Sequence, residues 1–234
     1  MTREPWQITR EMFLSESEVN RLLSRAADRV RQAANFDLAV RVDELILHSL
    51  LFSGLRNSEF CRLTVADVVL DQSEPHLLVR GTPREDRTVH IPRSVGALIR
   101  RFLSEIRPHC LPEGASPRDR TLPLVLNERG KAYERTGLYR RVVRILTDAG
   151  LGGRASVQLL RHTYGYLAYK RSGGNLLFVQ RQLGHAHPLV TSIYAQFVEE
   201  PYAAIADSVA GNAFDKPSRG RSTGKLRRAH SKGS

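Results

Sequence analysis

The feature that most constrains this chain is a change in hydrophobic period, from helical to strand-like and back. Ser15 and Glu18 form a capping-box pair, after which Val19, Leu22, Leu23, Ala26 and Val30 recur at helical spacing. A second helix is predicted over residues 43–52, with Leu45, Ile46, Leu50 and Leu51 as its buried stripe and Ser53-Gly54 as its stop. A short helix follows from about Asn57 to Leu63. The period then drops to two: VADVVL, HLLVR and RTVHIP are short β-branched runs separated by DQSEP and GTPRED, which predicts a small three-stranded antiparallel sheet.

Pro92 restarts helix, with Val95, Leu98, Ile99, Phe102 and Ile106 on one face. Residues 107–121 read as a charged, proline-rich loop, and TLPLVLN as a brief strand. Leu138, Val142, Ile145 and Leu146 mark a helix closed by Gly150. Val157 to Arg171 mark another, Asn175 caps a third that ends at Gly184, and Pro188 opens a fourth running to about Phe197. A last short helix is predicted over 202–209. The order of helices, small sheet, helices excludes a βαβ repeat and predicts a mainly α domain of the α+β type. Residues 1–14 read as a lead-in, and 211–234, acid-poor and basic, as a disordered tail.

Charge narrows the class of partner. The 234 residues carry 36 Lys and Arg against 24 Asp and Glu, a formal net charge of +12. An excess of that size points to a polyanion, nucleic acid foremost. Two cysteines, Cys61 and Cys110, make no disulfide framework and suggest a reducing compartment. The N-terminus has no apolar signal region, and the longest apolar run, LILHSLLF, is far too short for a membrane span. A cytoplasmic protein without membrane contact is expected.

Four stretches carry residues capable of chemistry. In SGLRNSE, Arg56 and Glu59 lie three apart, on one face of the short helix. In VQLLRHTYGYLAY, Arg161 sits in an apolar helix with no acid in that helix, so it needs an anion or a paired carboxylate; His162 beside it reads as a structural histidine bonded to backbone. In LGHAHPL, His185 follows a helix-ending glycine. In TSIYAQF, Tyr194 shares a side with Val190, Ile193 and Phe197. Taken singly, each has a plain reading as cap, loop or packing residue. His185 and His187 lack a third ligand at matched spacing, so no metal site is expected. Together, two guanidiniums, an imidazole and a phenol in a basic protein suit attack on a phosphodiester: arginines bind non-bridging oxygens and offset charge in the transition state, and the phenol is the nucleophile.

These stretches resemble the boxes of the tyrosine recombinase, or phage integrase, family over roughly residues 9–210. SGLRNSE is similar to the first box, and QLLRHTYGYL with LGHAHPLVTSIYAQF to the second. The resemblance implies a catalytic domain over 15–210, with Arg56, Arg161, His185 and Tyr194 catalytic and Glu59, Gln158 and His162 supporting or phosphate-binding. It implies cleavage of double-stranded DNA through a 3′-phosphotyrosine with release of a 5′-hydroxyl, and rejoining without a cofactor. It also implies a tetramer on paired sites, with the segment after the tyrosine docking on a neighbour, or a partner recombinase.

The chain departs from the family pattern at three points. Gln158 stands where the family usually has histidine, and glutamine cannot relay a proton near neutral pH. The sheet turn VRGTPREDRTVH offers Arg80, Arg84 and Arg87 as possible DNA contacts but not the family's lysine, the usual acid for the leaving oxygen. The helical DNA-binding domain that precedes most catalytic domains is not in this sequence, so the expectation is a chain that works alone, with a partner, or as a fragment. Slow chemistry, water as the acid, or a degenerate DNA-binding accessory or regulatory protein on the same fold all fit these departures. A basic RNA- or ribosome-associated protein is a further alternative.

Overall fold

The computed structural model describes residues 8–33, 37–71, 73–81, 86–187, 189–198 and 209. The tail at 211–234, Arg84 and, apart from Val209, the helix expected over 202–209 lie outside the described residues.

Local signals place most elements where the period predicts them. Helix α1 (Glu16–Gln32) starts on the reciprocal bonds of a capping box: Glu18 N donates to Ser15 Oγ at 3.2 Å, and Ser15 N to Glu18 Oε2 at 2.7 Å. Helix α2 (Leu38–Ser53) begins about five residues earlier than predicted, because Asp37 caps it by accepting from Val40 N at 3.1 Å. It buries Val42, Leu45, Ile46, Leu47, Leu50 and Leu51, more than one stripe, as a helix must when packed on several sides. Its neighbours are α1, α4 (Arg93–Arg101), α5 (Arg135–Asp148) and α6 (Val157–Arg171).

Helix α3 (Asn57–Arg62) leads into the sheet of β1 (Val68–Val69), β2 (His76–Val79) and β3 (Arg87–His90). The three strands form an antiparallel meander in which Leu77 lies opposite Val89 and Val79 opposite Arg87. Leu77 and Val89 are fully buried, so period two fixes which face meets the core. The strand expected in TLPLVLN is absent. Only the isolated bridges Thr64 to Pro123 and Leu126 to Ala132 form there, since Pro123 has no N–H for a ladder. The loop expected from residue 107 begins with a tight turn, Arg107–Cys110.

Pro188 lies outside the described residues, and the segment after it departs most from expectation. In place of one helix there is a single turn, α8 (Leu189–Ser192), and a second, tighter turn at Ala195–Phe197. Tyr194 lies between them, its N–H bonded to the Thr191 carbonyl at 3.2 Å. This break swings the Tyr194 ring into a small apolar cluster with Ile8, Phe13, Tyr164, Tyr169, Val179 and Leu183, apart from the main core. Phe13 and Leu14 are fully buried, and Leu14 N donates to Thr163 Oγ1 of α6 at 2.9 Å. Among the described residues no helix is long and apolar enough to cross a membrane.

Candidate active site

Two helix C-termini build the site. Helices α2 and α7 (Leu176–Leu183) both end in left-handed glycines, Gly54 and Gly184, each at φ +63°. A Cβ on Gly54 would lie 2.4 Å from the Tyr164 ring, and one on Gly184 2.9 Å from the Arg87 guanidinium. Beyond α7 the His185 N–H bonds back to the Gln180 carbonyl at 3.1 Å, which fixes the chain as it leaves the helix.

The last carbonyls of these helices point at the two arginines. Arg161, on α6 and 4% exposed, donates to Gly54 O and to Leu183 O, the latter at 2.8 Å. Arg56, at the start of α3, donates to the adjacent Gly184 O at 3.1 Å. Carbonyl ends of helix dipoles therefore supply the negative partner that the sequence of α6 lacks. Burial first, and then the nearby Arg56, lower the proton affinity of Arg161 to about 9, so it remains a cation at neutral pH.

Glu59 ties the site to the sheet. It is 8% exposed and receives Arg56 Nη1 at 2.8 Å on Oε1 and the Arg56 N–H at 2.7 Å on Oε2. Arg87, at the start of β3, grips the same carboxylate through both terminal nitrogens, at 2.8 and 2.9 Å. Burial alone would raise the Glu59 carboxyl; the bonds and charges of Arg87 and then Arg56 outweigh it and bring it down to about 2. Arg87 therefore faces inward rather than standing on the sheet's outer turn. Arg80 does stand there, mostly exposed and paired with Asp67 and Asp86.

The imidazole and phenol come from the chain after α7. His185 is half-buried, with Nδ1 3.0 Å from Thr191 Oγ1. Tyr194 is 1% exposed, with its hydroxyl 3.1 Å from His162 Nδ1. Burial, and after it Arg161, lower the His162 imidazole to about 4, while burial raises the Tyr194 phenol to about 12 against the pull of Arg161. Both shifts disfavour moving the phenolic proton onto that imidazole. The contact therefore holds Tyr194 protonated and retracted. Gln158 is exposed, one turn before Arg161 on the same side of α6.

The structure thus gathers Arg56, Arg161, Glu59 and Arg87 around the end of α7, with His185 next in the chain and His162 and Tyr194 along α6. Sequence reading passed over the carbonyls of Gly54, Leu183 and Gly184, the inward turn of Arg87, and Thr191. Among the described residues no three His, Cys, Asp or Glu side chains gather as a metal ion would require.

A helical body with a three-stranded antiparallel sheet, and paired arginines at two helix ends beside a histidine and a tyrosine, has the architecture of a tyrosine recombinase catalytic domain. The sequence matches the family model described as "Phage integrase family" over residues 12–200, and the chain belongs to that family. It is 27% identical over 186 residues to the tyrosine recombinase XerH of Helicobacter pylori, covering 79% of this chain and 48% of that protein. It is 33% identical over 199 residues to the tyrosine recombinase XerD of Brucella suis, covering 80% and 59%. Among solved structures, XerH bound to palindromic difH substrate in a post-cleavage complex superposes with a TM-score of 0.65 at 24% identity, over 85% of this chain and 52% of that one. The XerA recombinase superposes with a TM-score of 0.63 at 23% identity, over 92% and 68%. The chain spans about half the length of the curated relatives it matches.

Proposed function

We propose that this chain cleaves and rejoins double-stranded DNA at specific sites through a 3′-phosphotyrosine intermediate, with residues 15–210 as the catalytic domain. Arg56 and Arg161 bind the non-bridging oxygens of the scissile phosphate in place of carbonyls they now hold. His185 donates to the same phosphate, and Gln158 offers an amide from the neighbouring turn of α6. Glu59, held by Arg87, orients Arg56. Tyr194 leaves His162, and its oxygen bonds to phosphorus as the bond from phosphorus to the 5′-oxygen breaks; the phenolic proton passes to water, and water protonates the departing 5′-oxygen. Attack by a 5′-hydroxyl reverses the step, so the phosphodiester bond energy is retained. A tetramer on paired sites, in the cytoplasm, is the assembly proposed.

The observation that carries this reading is the convergence of Arg56 and Arg161 on the adjacent carbonyls of Gly184 and Leu183. Membership of the family supports it. The test incubates the chain with a pool of nicked duplexes carrying randomised cores and recovers covalent protein–DNA species. The expected product forms with wild type and disappears in Tyr194→Phe; no product across the pool would argue for the alternative.

That alternative, a degenerate DNA-binding accessory protein on the same fold, is favoured by one observation: Tyr194 is sealed against α6 with its hydroxyl engaged by His162. Gln158 and the lysine-free turn between β2 and β3 agree with it. Wild type and Tyr194→Phe would then bind duplex DNA equally and neither would form an adduct.

A further inference from the structure

Thr191 is fully buried one turn before the tyrosine. Its hydroxyl oxygen lies 3.0 Å from His185 Nδ1, and its carbonyl accepts the Tyr194 N–H at 3.2 Å. Among the described residues the hydroxyl has no other hydrogen-bond partner. A buried hydroxyl proton left unused costs about 1–3 kcal/mol, so it goes where an acceptor stands. The acceptor is Nδ1. In the neutral ring Nδ1 therefore carries the lone pair, and the single ring proton sits on Nε2.

We propose that Thr191 is a positioning residue that sets the tautomer and orientation of His185, making Nε2 a hydrogen-bond donor. The proposal rests on the reading of His185 as a ligand of the scissile phosphate, because a phosphoryl oxygen accepts and never donates. A ring held in the opposite tautomer would present a lone pair to that oxygen. The backbone bond from Tyr194 to the Thr191 carbonyl makes one residue the link between the imidazole and the tyrosine.

Two substitutions separate the hydroxyl from the shape of the side chain. Thr191→Val keeps the branched outline and removes the hydroxyl; Thr191→Ser keeps the hydroxyl and removes a methyl. The first readout is the nitrogen NMR spectrum of the His185 ring in the full chain. Wild type and Thr191→Ser are expected to hold Nε2 protonated, and Thr191→Val to show a mixture of tautomers. The second readout is the rate of covalent adduct formation on a nicked duplex that traps wild type, expected to fall at least about tenfold in Thr191→Val, in line with loss of an orienting partner elsewhere, and to return within about threefold in Thr191→Ser. An unchanged ring spectrum in Thr191→Val overturns the proposal, as does a serine variant as slow as the valine variant. Absence of any wild-type adduct sinks the recombinase reading instead, and the ring spectrum still decides the role of Thr191.

Discussion

The Tyr194 hydroxyl lies 3.1 Å from His162 Nδ1, and the Tyr194 ring rests on the backbone of α6 at Gly165. A Cβ on Gly165 would stand 2.3 Å from Tyr194 Cζ, which no ring in that position tolerates. The resting place of the tyrosine therefore depends on one glycine in the middle of a helix. There glycine is worth about 1 kcal/mol less than alanine as a helix former.

Gly165→Ala expels the ring. Helix α6 gains its propensity term, but the displaced tyrosine leaves its apolar site and gives up its hydrogen bond to His162, a loss of about 1–3 kcal/mol. A net fall in stability is expected, together with faster amide exchange across residues 189–198. An unchanged exchange pattern would mean that the tyrosine segment does not depend on this contact.

Acid should destabilise the domain in two stages. His162 falls from 6.5 to about 4 on folding, so between those values the unfolded chain binds more protons and stability is lost as pH drops. Glu59 falls from 4.5 to about 2, so its contribution is full above 4.5 and disappears as pH drops toward 2. Each stage is worth roughly 3 kcal/mol. Denaturant titrations at stepped pH should show both limbs in wild type, and His162→Gln should flatten only the limb between pH 6.5 and 4.

Arg161→Lys should be a severe change despite keeping the charge. A guanidinium spans Gly54 O and Leu183 O at once, whereas an ammonium at the end of a shorter, narrower stem reaches one of them well. Losing one charged hydrogen bond in a buried site costs about 1.5–3 kcal/mol. Urea unfolding would measure it, and a variant as stable as wild type would show that the two carbonyls do not bind as a pair.

Much of this site was legible in the sequence because its residues sit at local landmarks. Arg56 and Glu59 share one turn, His185 follows a helix-ending glycine, and Arg161 stands out as a cation in an apolar helix. The partners were not legible, because they are backbone carbonyls or lie far away in the chain. Period two placed Arg87 on a strand, but Glu59 is 28 residues earlier and no local pattern joins them. The helix predicted through Tyr194 was wrong for a related reason: contacts with α6 and the apolar cluster outweighed the local periodicity and broke it into two turns. Gly165 was the available signal, a small residue in a helix interior beside Tyr164 and Tyr166.

Glu59→Gln tests how the site is held together. In wild type one carboxylate faces two guanidiniums, and its charge is what allows Arg56 and Arg87 to approach each other. The amide keeps the shape, offers one acceptor oxygen, and turns its NH₂ toward a cation. Removing one member of a buried ionic cluster costs about 3–5 kcal/mol, and the partial exposure of Arg56 places this case near the lower end. The acid limb below pH 4.5 should shrink with it, leaving the part that belongs to Glu18, which Ser15 and Arg154 also hold down to about 2. Glu59→Asp should keep that limb, yet its shorter stem cannot hold both arginines, so it should recover only part of the stability. If Glu59→Gln unfolds at the wild-type denaturant concentration with the limb undiminished, other carboxylates govern acid stability and Arg87 does not hold Arg56 in place.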